Sequence, residues 1–142
     1  MKIFSLLTAV ILLIAGCRPS DKISQVVGVG KAPTLENTRW TLTELNTQPV
    51  SIETKPYLVF AAKSMVLNGF GGCNQLAGSY ESSGHKIKFN NIAATRMFCQ
   101  ETMQVEAAFL QGLQSISHYR IEGHELILLQ DNTVVARLRA VN

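Results

Sequence analysis

The residues best suited to chemistry lie in two short runs, Gly69-Phe70-Gly71-Gly72-Cys73-Asn74 and Ala94-Thr95-Arg96-Met97-Phe98-Cys99. Each sets a cysteine beside glycines that permit unusual backbone angles or beside side chains rich in hydrogen-bonding groups. A thiol pair can form a disulfide, stay reduced in a core, or act as a nucleophile or redox centre. The Asn74 amide is suited to satisfying backbone groups at the glycine bend, and secondarily to contacting a ligand. Arg96, beside Thr95, could hold a carboxylate or phosphate on a ligand or partner, or form an internal salt bridge to Glu101 or Glu106. No Cys-x-x-Cys spacing is present, and His85, His118 and His124 are dispersed along the chain. No metal site, cofactor or catalytic constellation is therefore expected.

At the N-terminal end Lys2 precedes an apolar run from Ile3 to Ile14, broken only by Ser5 and Thr8, and then come Ala15-Gly16-Cys17. This is the layout of a signal peptide. As a helix the run would rise roughly 18 Å, short of the about 30 Å of a bilayer core. Leu13-Ile14-Ala15-Gly16-Cys17 resembles a bacterial lipobox, which implies cleavage before Cys17 and lipidation of that cysteine. More than one acyl chain gives stable anchoring. Arg18, where an Asp would favour retention at the inner membrane, implies an outer-membrane lipoprotein facing the periplasm. The expected organisation is a signal peptide at 1–16, a lipidated cysteine and tether at 17–36, and one domain at 37–142.

The tether contains Pro19, Gly28, Gly30 and Pro33, which break any helical or alternating pattern. Gly28-x-Gly30 lacks the strand and third glycine of a nucleotide loop. From Thr38 the pattern becomes that of strands: Trp40 and Leu42 alternate with polar neighbours, and Tyr57–Ala61 with Met65–Asn68 reads as a hairpin. Gly69, Gly71 and Gly72 mark a bulge or sharp bend. Asn74–Ser82 and the alternating His85, Ile87 and Phe89 continue the sheet. Val105, Ala108, Phe109, Leu113 and Ile116 then recur at helical spacing over 101–117, with Glu106, Gln111 and Gln114 at other positions. Strands resume at Tyr119–Glu122 and Leu126–Leu129, and Asp131-Asn132 suits a hairpin turn. In the last strand Val134, Ala136 and Leu138 are expected inward, and Thr133, Val135, Arg137 and Arg139 outward. The layout predicts an α+β domain: a curled antiparallel sheet or partly open barrel of about seven to eight strands on one amphipathic helix.

Bulk properties narrow the function. The 142 residues, 46% hydrophobic and 16% charged, suit one globular domain with processing segments. The formal charge of +3 falls to +2 when residues 1–16, which carry only Lys2, are removed. No basic cluster could follow a phosphate backbone, so nucleic acid is not an expected partner.

Trp40-x-Leu42, Gly71-Gly72-Cys73-Asn74 with Gly78 and Tyr80, Ile92-Ala93-Ala94-Thr95-Arg96-Met97 with Cys99, and Glu106, Phe109 and Leu113 together resemble the META/HslJ family of small bacterial domains. The likeness covers roughly residues 36–140. It implies a compact, partly open β-barrel with a helix against it, an exported and often lipidated protein, links to heat and antibiotic stress, and no established catalytic reaction.

With Cys17 lipidated, Cys73 and Cys99 make an even number in an oxidising compartment, for which a structural disulfide is the favoured reading. A reduced buried pair and a reactive thiol are its alternatives. The functional expectation is a non-enzymatic envelope lipoprotein, held to the membrane through Cys17, that binds a protein, peptide or lipid. One alternative is a hydrolase inhibitor, with Gly69–Asn74 or Asn46–Lys55 as the loop that enters a cleft; a thiol-dependent enzyme is another.

Overall fold

The computed structural model describes residues 31–141. The expected signal peptide, lipidated Cys17, Gly28-x-Gly30 and most of the tether lie outside them. In chain order the elements are β1 (Arg39–Leu45), β2 (Gln48–Pro49), β3 (Tyr57–Ala61), β4 (Val66–Phe70), β5 (Gln75–Ser83), β6 (Lys86–Ala94), α1 (Met103–Ser115), β7 (His118–Glu122), β8 (Glu125–Gln130) and β9 (Thr133–Val141).

The strands form one antiparallel sheet in the order β2-β1-β3-β4-β5-β6-β7-β8-β9, and a further pairing of β1 with β9 closes it into a ring. The ring is uneven. β6 and β7 meet through a single pair, Lys86 with His118, whereas β7 and β8 pair along their whole length. Helix α1 packs beside β6, and its Gly112 lies against Val135 of β9 and Leu45 of β1. This is the α+β fold that the element layout predicts, a curled antiparallel sheet with one helix, with nine strands in an uneven ring where about seven to eight were expected.

Alternation decides what fills the ring. Trp40 and Leu42 of β1, Leu58 and Phe60 of β3, Leu67 of β4 and Tyr80 of β5 are fully buried. Phe109 and Leu113 of α1 join them from the helix side. Phe60 meets Tyr80 edge-on at a centroid distance of 5.1 Å, a favoured aromatic geometry. The interior is thus filled by side chains, as in small barrels generally. The Trp40 indole N–H donates to the carbonyl of Leu35 at 2.9 Å, and Glu36 bridges to Phe60. Leu35 and Glu36 therefore belong to the packed fold, ahead of the boundary expected at 37.

The last strand departs from simple alternation. Val135, expected outward, is buried together with Ala136 and Leu138, and Val134 is only half-buried. The register between β8 and β9 shifts between Leu128 and Leu129, so that Leu128 faces Ala136 and Leu129 faces Val134. Val135 is the extra residue of a bulge, and the inward set changes parity there. A Cβ added at Gly112 would lie 3.0 Å from Val135 Cγ1, so the missing side chain at 112 is what lets the helix seat on the bulge.

Candidate functional site

The glycine bend joins β4 to β5, and the second cysteine run joins β6 to α1. The first is tight: Gly71 N–H donates to Asn74 O at 2.8 Å, and Gly72 has φ of 117°, a region open to glycine. Cys73 and Asn74 are nearly inaccessible, at 2% and 3%. The second run follows β6 over residues 95–99, outside any strand, with Thr95 N–H still on Gln75 O, and then turns into the helix, with Met103 N–H on Cys99 O. A Cys73–Cys99 disulfide, with Cα atoms 5.8 Å apart, joins the two. The favoured reading of the cysteines is the one found.

A buried bend needs partners for its main-chain N–H groups. The side chain of Glu106, on the first turn of α1, supplies them. Its Oε2 accepts from the N–H groups of Cys73 at 2.9 Å and Asn74 at 2.6 Å, and its Oε1 accepts from Asn74 Nδ2 at 2.6 Å. Glu106 was expected away from the helix's apolar stripe; it is instead 5% exposed. Three N–H donors stand where a counter-ion would otherwise be needed. The same packing explains Gly71, because a Cβ there would lie 2.6 Å from the Glu106 side chain.

Asn74 links this cradle to the second run. Its Oδ1 accepts from the Thr95 hydroxyl at 2.8 Å and from Met97 N–H at 2.7 Å, and its Nδ2 donates to Met97 O at 3.2 Å as well as to Glu106. Both donor and both acceptor positions of the amide are occupied. The Thr95 hydroxyl also accepts from Gln75 N–H at 3.1 Å. Asn74 does serve backbone groups, but those of Met97; the glycine bend is served by Glu106.

Arg96 behaves differently from the expected salt bridge. It is exposed and forms no ion pair among the described residues, because Glu106 is turned inward to the bend. Beside it Met97 is 56% exposed and Phe98 80% exposed, so two large apolar side chains stand in solvent at the tip of a segment anchored by Asn74 and the disulfide. Phe98 was not singled out from the sequence; its signal was its place between two fixed points. The Gly69–Asn74 loop, by contrast, is largely buried and cannot enter a partner's cleft. Asn46–Lys55 is mostly exposed, although Val50 is buried and Ile52 packs against the core.

An open cleft of about 530 Å³ lies beside the disulfide, between Thr54, Phe70, Gly72 and Thr102. The Thr102 hydroxyl is buried and has no hydrogen-bond partner among the described residues. No grouping of His, Cys, Asp and Glu among the described residues could hold a metal ion. His85 lies in the β5–β6 turn, His118 begins β7 and His124 lies in the β7–β8 turn, none of them in the Glu106 and Asn74 network.

Comparison with known proteins agrees with this architecture. The META domain family model matches residues 33–142. The heat shock protein HslJ of Escherichia coli is 29% identical over 99 residues, a match that covers 70% of this chain and, at 66%, just under two thirds of HslJ. An NMR structure of a protein from Burkholderia xenovorans superposes with a TM-score of 0.63 at 23% identity, covering 76% of this chain and 84% of that one. A second NMR structure gives 0.59 at 21% identity, covering 74% and 91%. These two likenesses are of fold. With the family model spanning the whole packed domain, including the bend, the cradle glutamate and the disulfide, the chain belongs to the META domain family.

Proposed function

We propose that this protein is a non-enzymatic lipoprotein of the bacterial envelope, anchored through Cys17 in the outer membrane and facing the periplasm, whose META domain binds a partner through the segment 95–99. The observation that carries the reading is Phe98, 80% exposed on a segment fixed at both ends. A large apolar side chain held in solvent at an entropic and hydration cost suits a binding anchor. The internal hydrogen bonding of Asn74 and Glu106 supports a scaffold role for them, with Arg96, Met97 and Phe98 as the contacts. The disulfide accords with an oxidising compartment. The relative's name, heat shock protein HslJ, supports a role under heat stress, and the family resemblance extends the proposal to envelope integrity and antibiotic stress.

The reading is tested by affinity capture from envelope extracts with the full chain, repeated with Phe98→Ala and Arg96→Ala. A partner retained equally by all three removes the loop from the proposal. The anchor is tested separately by palmitate labelling: a Cys17→Ser chain that still takes up label and still fractionates with membranes overturns lipidation at that residue.

A further inference from the structure

Residues 95–99 carry main-chain groups as well as side chains outward. Thr95 N–H donates to Gln75 O at 3.1 Å, and Met97 presents both its N–H and its C=O to the Asn74 amide. In an extended chain the N–H and C=O of one residue point to the same side, and those of the next residue to the other. The main-chain N–H of Thr95 and the main-chain N–H and C=O of Met97 therefore face the domain, and on this pattern the main-chain groups of Arg96 and Phe98 point away from it. Among the described residues no hydrogen bond reaches the main-chain N–H or C=O of Arg96 or Phe98. In its hydrogen bonding the segment resembles a short strand edge, paired on the inner side by a side-chain amide and open on the outer side.

That open edge discriminates between occupants. Insertion of the Met97 and Phe98 tip into lipid would strip water from these unpaired groups and supply no partner, at several kcal/mol for each group in hydrocarbon. A cleft that binds extended peptides supplies both requirements, main-chain hydrogen bonds along the edge and a pocket for the alternate side chain. The segment is also organised in advance: Asn74 holds Met97 on one side of Phe98, and the bond from Cys99 to Cys73 holds the other. Little conformational freedom is left to lose on binding. Both sides of the Phe98–Cys99 peptide bond stay attached to the domain, which opposes release of the segment from a cleft that would cut a linear peptide.

We propose that residues 95–99 form a rigid, substrate-like strand that occupies the peptide cleft of an endopeptidase with an apolar specificity pocket, Phe98 filling that pocket. This rests on the reading of the segment as the partner-binding element and names the partner's class.

The test uses the full chain in detergent micelles against chymotrypsin and subtilisin, both of which accept apolar side chains, with a chromogenic peptide substrate as readout. Competitive inhibition is expected, weakened roughly 100-fold by Phe98→Ala, as for the loss of a central anchor. Phe98→Arg should transfer inhibition to trypsin. Because Phe98 is exposed, these variants leave the core untouched. The proposal is overturned if the wild-type chain inhibits neither enzyme, if Phe98→Ala inhibits equally well, or if the chain is cut after Phe98 as fast as a linear peptide. Phe98-dependent flotation with phosphatidylglycerol vesicles, without inhibition, also overturns it and assigns the tip to lipid. Should inhibition be absent while envelope capture still depends on Phe98, only the endopeptidase falls; should capture be independent of Phe98 as well, the loop reading falls with it.

Discussion

The Glu106 side chain holds Asn74 at two points, with Oε2 2.6 Å from its main-chain nitrogen and Oε1 2.6 Å from its side-chain Nδ2. One helical residue thereby sets the shape of the β4–β5 bend and, through Asn74, the path of the segment that displays Phe98. Glu106→Gln must turn an NH₂ group toward at least one of these donors. It is expected to destabilise the domain by about 2 to 4 kcal/mol, the scale for leaving buried donors unsatisfied. Urea unfolding with the disulfide intact measures this, and a midpoint unchanged from wild type would remove Glu106 as the organiser of the bend.

Gly71 and Glu106 should be coupled. A Cβ at 71 meets the Glu106 side chain at 2.6 Å, so Gly71→Ala alone is expected to cost about 1 to 3 kcal/mol by overpacking. In a Glu106→Ala background the obstruction is gone, and the same substitution should cost at least about 0.5 kcal/mol less. A double-mutant cycle showing simple additivity would mean that backbone conformation, not the carboxylate, excludes a side chain at 71.

These two residues mark the limit of what the sequence discloses. Period-2 alternation located the strands, because Trp40, Leu42, Leu58 and Phe60 must share one face whatever their partners. The helix stripe was legible for the same reason. Glu106 was not, since helical spacing sorts residues by polarity, and a buried carboxylate is defined by donors on a bend 32 residues away in sequence. Val135 escaped because a bulge changes parity, and its position is set by the partner strand. Asn74 and Arg96 were both visible as polar groups near the cysteines. Their contrast, one with every valence filled and one open to solvent, arises only when the two runs meet.

The disulfide should carry a large part of the domain's stability. Closing 26 residues of separation corresponds to about 3 to 4 kcal/mol on the loop-entropy account. The Cys73→Ser, Cys99→Ser chain, compared with wild type in urea under non-reducing conditions, should show this loss. A thiol titration of a denatured, unreduced Cys17→Ser chain should find no free thiol, and two would contradict the bond.

Thr102 offers a test in the opposite direction. It occupies the N-cap of α1 yet makes no side-chain capping bond, and its hydroxyl is buried and unpartnered among the described residues. Replacing a capping threonine ordinarily costs about 1 kcal/mol. Here Thr102→Val keeps the shape and removes only an unsatisfied group, so stability should hold or rise by up to about 1 kcal/mol. A loss of the usual capping size would show that the hydroxyl is bonded in solution.

Tyr80 links the core to an alkaline limit of stability. Its ring is fully buried and its hydroxyl lies 3.2 Å from Glu36 Oε1 and 3.3 Å from Ala61 O. Burial first, and then the neighbouring Glu36, push the phenol from 10.0 up to about 12. Between these values the unfolded chain gives up the proton while the fold retains it, so the unfolded state binds fewer protons and stability falls as pH rises. The contribution of Tyr80 is complete below pH 10 and lost on approach to pH 12, a decline on the order of 2 kcal/mol. Tyr80→Phe has no proton to lose there. Its stability should begin lower near pH 8, for want of the bonds to Glu36 and Ala61, and then fall less steeply than that of wild type between pH 10 and 12. Parallel curves across that window would show that the phenol titrates alike in the folded and unfolded chains.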